Sequence, residues 1–383
     1  MDTLTAAGQA VTRPGAELQE TNARLTSLDA LRGFDMLCIL GIDRLLRELG
    51  KASHLDLLKV LADQMSHVPW AGLHFYDVIF PLFIFIIGVS LVFSLNRIIG
   101  RQGRRAAVHR VLRRSAIFFL LGIFYMGGLA GGLANVYLAG VLQRIAEAYV
   151  FAALIFCFLR DRPWAMLGIC VGLLLGYWAL LTFIPVPGIG HASYARGTNL
   201  AHYIDARFLP GRSVSDPVDF EGSLLNTLGA VANCLLGVFA GLLLQSDKFT
   251  QRAKVLWLWG GGAMGLLLGY VWGLQFPIIK LLWTSSYVLV ACGYSAILLG
   301  CFYLVIDIWK VQRWVHPFVW VGMNPITLYL VANMVSFPGL AKRLVGGAVF
   351  FGSYGNVVVA LVSLGLELWF VQVLYSRKIF LRL

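Results

Sequence analysis

Eight stretches of the chain, each 19 residues or longer, contain no Asp, Glu, Lys or Arg. They are Val78–Asn96, Ser115–Gln143, Pro163–Ala195, Gly222–Ser246, Val255–Ile279, Leu281–Ile306, Trp314–Ala341 and Leu344–Leu366. A helix that crosses a bilayer needs about 20 mostly apolar residues. The pattern therefore predicts an all-α protein, a polytopic transmembrane helical bundle of about ten spans. Their expected positions are 28–47, 72–97, 112–130, 134–159, 164–184, 223–246, 255–275, 282–306, 315–335 and 347–375. The first is the weakest, because it carries Asp29, Arg32, Asp35, Asp43 and Arg44. Only 13% of the 383 residues are charged, against about 25% in soluble domains, too few to coat a water-soluble body of this size.

The net charge of +12 sits in the connections between apolar runs, where Lys and Arg set orientation and meet anionic headgroups. It therefore argues for a lipid bilayer as partner and against nucleic acid. With the N-terminus inside, nineteen Lys and Arg fall on the cytoplasmic side and ten on the other. That asymmetry predicts cytoplasmic N- and C-termini, and the seven arginines from Arg97 to Arg114 decide it. Residues 1–23 are expected to be a disordered polar tail without a cleavable leader. Residues 24–383 form the membrane domain, with outer loops at 48–71 and 185–222. Cys38, Cys157, Cys170, Cys234, Cys292 and Cys301 lie in apolar stretches without metal-ligand spacing. They read as small buried hydrophobes, and no metal site is expected.

Ionisable residues within spans are costly and mark candidate sites. Asp29 and Arg32, three apart, share a helix face. They form either a self-neutralised pair or a site for a phosphate or carboxylate, which the arginine fork suits. Where the first outer loop meets the second span stands Ser66-His67-Val-Pro-Trp70-Ala-Gly-Leu-His74-Phe-Tyr-Asp77. A histidine there can accept a proton from an amine near neutral pH or carry an acyl group; equally, it can be a solvated side chain. Asp77 reaches His74 at i+3, whereas pairing with His67 requires the loop to fold back. Arg144 and Glu147 form a second i,i+3 pair, either an internal ion pair or a ligand lining. Lys280 and Trp283 open the eighth span, and Asn324-Pro325 interrupts the ninth. No Walker loop, GxGxxG, HExxH or GxSxG motif is present.

The order of these motifs resembles the heparan-α-glucosaminide N-acetyltransferase family, the transmembrane acetyltransferases of lysosomes and their bacterial relatives. Ser27-Leu-Asp-Ala-Leu-Arg-Gly, His67-Val-Pro-Trp-Ala-Gly with Asp77-Val-Ile-Phe-Pro-Leu-Phe, and Gly140-Val-Leu-Gln-Arg-Ile carry the first part of the resemblance. Asp219-Phe-Glu-Gly, Pro277-Ile-Ile-Lys-Leu-Leu-Trp-Thr-Ser-Ser-Tyr and Gly322-Met-Asn-Pro-Ile-Thr-Leu-Tyr carry the rest. Pro69 and Ala71 stand where Ser and Asn are usual in the family. The resemblance implies transfer of acetyl from cytosolic acetyl-CoA to the amine of a glucosamine-type sugar beyond the membrane. It places the chain in the bacterial branch, in an inner membrane, with a homodimer allowed. His67 matches the essential histidine and Asp77 the acid of the second span, as the catalytic residues. Arg32, Arg144, Lys280, Trp283 and Asn324 become candidates for holding the coenzyme, and Asp29, Trp70, His74 and Glu147 for holding the sugar.

Two mechanisms fit the resemblance. Either His67 carries the acetyl group, or it deprotonates the amine while both substrates are bound, which requires less movement. Buried charges and a broken helix also suit a secondary transporter of a sugar or organic anion. An O-acyltransferase acting on glycan hydroxyls is the third reading.

Overall fold

The computed structural model describes residues 25–210, 223–346 and 352–381. The expected tail 1–23 and the Asp219-Phe-Glu-Gly stretch lie outside the described residues. The described chain is helical, and its only β feature is an isolated bridge between Ala71 and Ile279. The helices are α1 (Thr26–Leu37), α2 (Asp43–Ala52), α3 (Asp56–Gln64), α4 (Phe75–Tyr125), α5 (Val141–Leu159), α6 (Pro163–Phe183) and α7 (Leu200–Phe208). They continue with α8 (Ser223–Gln245), α9 (Gln251–Gly273), α10 (Ser285–Phe302), α11 (His316–Met323), α12 (Pro325–Met334), α13 (Phe337–Leu344) and α14 (Gly355–Ser376). A π-helical stretch, Cys38–Ile42, joins α1 to α2.

Among the described residues, seven helices are long and apolar enough to cross a membrane: α4, α5, α6, α8, α9, α10 and α14. The chain is a multi-pass membrane protein. The sequence-based expectation of about ten rests on three further segments. The expected spans 72–97 and 112–130 are the two helical halves of α4, separated at Gly103, whose φ of 82° and ψ of 171° leave the helical region. The expected span 28–47 is the run from α1 through the π-turn into α2, whose charges keep it from qualifying by composition. The expected span 315–335 breaks at Asn324 into α11 and α12, because Pro325 cannot continue the preceding helix. The two expected outer loops also contain structure: α3 lies within 48–71 and α7 within 185–222.

The first half of α4 is the centre of the bundle, with Leu82, Ile84, Ile86, Val89 and Val92 sealed from solvent and lipid. By contrast α6, α9 and α14 turn large apolar side chains outward, among them Trp164, Trp257, Leu268 and Trp369. Inside a bilayer no water drives helices together, so close backbone packing does the work. At the crossing of α1 and α11, a Cβ on Gly33 would lie 1.8 Å from the Phe318 carbonyl oxygen. One on Gly322 would lie 1.8 Å from the Asp29 carbonyl oxygen. Only glycine lets these two helices touch.

Candidate active site

The loop before α4 is fixed by the first turn of that helix. Asp77 Oδ2 accepts the backbone N–H of His74 (3.0 Å) and of Val68 (3.3 Å). The first bond is the return half of a capping box and satisfies a donor that the helix start leaves orphaned. The second pulls the loop back over the helix, which is the fold-back that a His67–Asp77 pairing requires. Gln64 Oε1 accepts the Phe75 N–H at 3.0 Å and ties α3 to the same point.

The neighbouring wall is the connection between α9 and α10. Gly72 donates its N–H to the Ile278 carbonyl at 2.9 Å, beside the Ala71–Ile279 bridge. Thr284 Oγ1 donates to the Pro277 carbonyl and accepts from Ile279 N–H, and Ser286 Oγ donates to the Phe276 carbonyl. Tyr287 Oη reaches the Asp77 carbonyl at 2.7 Å and locks α10 to α4. These bonds explain the hydroxyl-rich Thr284-Ser-Ser sequence: its side chains replace secondary structure in holding the connection.

The two walls bring together three side chains. Asp77 Oδ1 lies 2.8 Å from His67 Nδ1 and 3.2 Å from Lys280 Nζ. Lys280 Nζ is also 2.8 Å from Nδ1 and 3.3 Å from Nε2 of the same imidazole. A carboxylate only accepts and an ammonium only donates, so a hydrogen bond to Asp77 puts the proton of the neutral ring on Nδ1 and leaves Lys280 only Nε2, at 3.3 Å, to donate to. Asp77 is fully buried, whereas the His67 side chain is 52% exposed. The imidazole is thus held from behind and open in front. Lys280 lies outside the spanning helices, and its burial pulls its ammonium below the ordinary lysine range, opposed by the Asp77 charge. The Tyr76 ring packs on His67 with centroids 4.6 Å apart.

His67 and Lys280 open onto a cavity of about 150 Å³, walled by Ile39, Tyr76, Ile79, Phe80, Val141 and Tyr329. Ile39 comes from the π-helical stretch, a distortion that often accompanies functional sites. Four of these residues (Ile39, Phe80, Val141 and Tyr329) also line a narrower apolar cavity of about 30 Å³ that continues to Met36, Phe118 and Ile145.

The other sequence candidates distribute around this centre. His74 stands behind it, with Nδ1 3.1 Å from the Ser66 carbonyl and Nε2 3.5 Å from Asp63. Trp70 donates Nε1–H to the Tyr194 carbonyl at 3.0 Å, and the Arg196 guanidinium lies 6.0 Å from its ring. Trp283 is buried behind Phe80, edge-on at 5.1 Å, and the Arg144 guanidinium lies 5.4 Å from its ring. Glu147 accepts from Thr227 Oγ1 at 2.7 Å.

Three candidates stand apart from the His67 cavity. Arg32 binds Ser90 Oγ (2.6 Å), Asp29 (3.5 Å) and the Gly322 carbonyl (3.4 Å), which makes the Asp29–Arg32 pair a staple across the α1–α11–α4 contact. Asn324 donates to the Ile379 carbonyl and accepts from Leu381 N–H, so it anchors the C-terminal tail. Tyr76, Ile79, Phe80, Val141, Ile39 and Tyr329 line the cavity without any signal in the sequence that singles them out. Tyr76 adjoins Asp77, but nothing in sequence brings Val141 or Tyr329 to His67.

No protein-family model matches the chain. The chain is similar to two mammalian heparan-alpha-glucosaminide N-acetyltransferases. The mouse protein is 27% identical over 374 residues, covering 82% of this chain and 56% of its own length. The human protein is 27% identical over 325 residues, covering 69% of this chain and 48% of its own. The chain thus spans about half the length of the curated relatives it matches.

Proposed function

We propose that the protein is a transmembrane acetyltransferase of the heparan-α-glucosaminide N-acetyltransferase kind, moving acetyl from acetyl-CoA to the amine of a glucosamine-type sugar. The observation that carries this reading is the shared oxygen, Asp77 Oδ1, which positions both His67 and Lys280 at the mouth of a cavity. The similarity to the two acetyltransferases supports the reaction class. His67 Nε2 takes a proton from the sugar amine as its nitrogen attacks the thioester carbonyl. Lys280 Nζ, within 3.3 Å of both ring nitrogens, is near enough to that carbon to stabilise the oxyanion that forms. Collapse breaks the C–S bond, and the thiolate takes back the proton from Nε2. Asp77 keeps the ring in the tautomer that performs both steps. Trp70 and Glu147 are assigned to the sugar side, with His74 in support, while Asp29 stays with its partner Arg32.

The coenzyme enters from the arginine-rich end, taken as the cytoplasmic face of a bacterial inner membrane. Its acylated arm follows the apolar passage past Met36, Phe118 and Ile145 towards His67, with Arg144 and Trp283 nearby and Arg32 and Asn324 at the far end. Purified protein in proteoliposomes, given labelled acetyl-CoA and glucosamine, tests the reading with wild type against His67→Ala. Equal acetylation by the variant removes His67 from the chemistry. Stable label on the protein without acceptor replaces direct transfer by an acyl-histidine. Transport of unmodified sugar without acetylation favours the carrier reading, which the broken α11–α12 helix otherwise supports.

A further inference from the structure

A larger groove, of about 620 Å³, lies between α8, α9 and α10 and shares no lining residue with the His67 cavity. None of its lining residues is charged. Gly261, Gly265 and Gly293 set its floor back from the surface, and Trp164, Phe249 and Trp257 stand towards one end. On α9 the lining residues run from Trp257 to Gly265, over which the helix rises about 12 Å. The groove therefore reaches through roughly one leaflet of a hydrocarbon core about 30 Å thick.

Its aromatic end coincides with a basic rim. Lys248 is adjacent to Phe249, Arg252 begins α9, and Arg162 precedes Trp164 by two residues; all three are exposed. Arg160 is engaged by Asp161 and Asn96, and Lys254 donates to the Leu244 carbonyl, so neither is counted with the rim. Asp247 is the acidic residue beside Lys248. An apolar slot one leaflet deep under three exposed cations matches a single amphiphile with an anionic head.

We propose that this groove binds one acyl chain of an anionic glycerophospholipid, with the phosphate held by Arg162, Lys248 and Arg252. The site needs no assumption about the reaction at His67. It sits on α9 and α10, the two helices whose connection carries Lys280.

Delipidated full-length protein titrated with phosphatidylglycerol or phosphatidylcholine, followed by native mass spectrometry and thermal unfolding, tests the proposal. Wild type is expected to retain one phosphatidylglycerol, at least tenfold more tightly than phosphatidylcholine, with a rise in Tm. A Cβ on Gly261 meets nothing within 4 Å, so Gly261→Phe should fold normally, fill the groove and lose that lipid. Lys248→Glu with Arg252→Glu should keep chain binding and abolish the headgroup preference. Equal retention by Gly261→Phe and wild type overturns the proposal, as does equal affinity for the two lipids in wild type. A wild-type dimer that Gly261→Phe converts to monomer also overturns it, by assigning the groove to a second copy.

Discussion

Asp77→Asn probes the centre of the candidate site with almost no change in shape. The carboxylate receives four donors: His67 Nδ1 and Lys280 Nζ on Oδ1, and the His74 and Val68 N–H groups on Oδ2. An amide has one oxygen for these two pairs. The backbone donors are fixed by the helix start, so the oxygen should stay with them and turn the NH₂ towards His67 and Lys280. His67 can then meet that NH₂ only by accepting at Nδ1, which moves its proton to Nε2 and removes the base from the open side of the ring. General-base catalysis is worth about 100- to 10,000-fold, or about 3–5 kcal/mol at 1.36 kcal/mol per tenfold. The loss should fall on kcat with KM for glucosamine nearly unchanged, measured as acetylation in proteoliposomes at saturating acetyl-CoA. Leaving the buried Lys280 without its counter-charge should also lower stability by about 1–3 kcal/mol, so Tm is measured alongside. A folded variant whose kcat stays within threefold of wild type refutes the orienting role of Asp77.

Three further outcomes follow from the same structure. Because burial lowers the Lys280 pKa, acetylation should fall as pH rises through that lowered value, and Lys280→Arg should move this alkaline limb upward in a pH–rate profile. The unfolded chain keeps this proton up to the ordinary lysine value of 10.5, so between the two values wild-type stability should rise with pH, opposite to activity; Lys280→Met should flatten that rise in urea titrations. Gly33→Val drives a side chain into the Phe318 carbonyl and should destabilise by the upper end of about 1–3 kcal/mol, read as reduced Tm and yield, whereas an unchanged Tm would show that α1 and α11 do not cross so closely. Val141→Phe should narrow the His67 cavity and raise KM for the sugar more than tenfold at constant Tm; an unchanged KM would place the acceptor elsewhere.

Much of the architecture was legible because bilayer helices announce themselves by long uncharged runs, and α6, α8, α9 and α10 follow those runs closely. Charged stretches blur the remaining boundaries. The expected division of α4 into two spans follows Arg97–Arg114, within which Gly103 separates two helical halves. Likewise α1 and α2 carry charges that composition penalises, while the structure pairs Asp29 with Arg32 and Asp43 with Arg47. In the site, His67 and Asp77 were legible as chemistry but not as a pair, since ten residues of loop say nothing about fold-back. Lys280 was visible as a cation at a span boundary. Its meeting with His67, 213 positions away, depends on the bridge between Ala71 and Ile279, which no local pattern encodes.

The placement of Asp77 explains why the proposed chemistry sits at a helix start. One of its oxygens closes the capping box and fixes the first turn of α4, and the other faces His67 and Lys280. A carboxylate there meets backbone N–H groups that lack helical partners, and the helix dipole favours its charge. Its ionised state is thus supported by the backbone before either side chain approaches. The loop then has little freedom: Val68 is bonded to the same carboxylate, and Gly72 to Ile278. His67 is consequently set in place by the same bonds that begin the central helix. The start of α4 and the site share one side chain, and Asp77→Ala, which removes both oxygens, should loosen the loop and release His67 together.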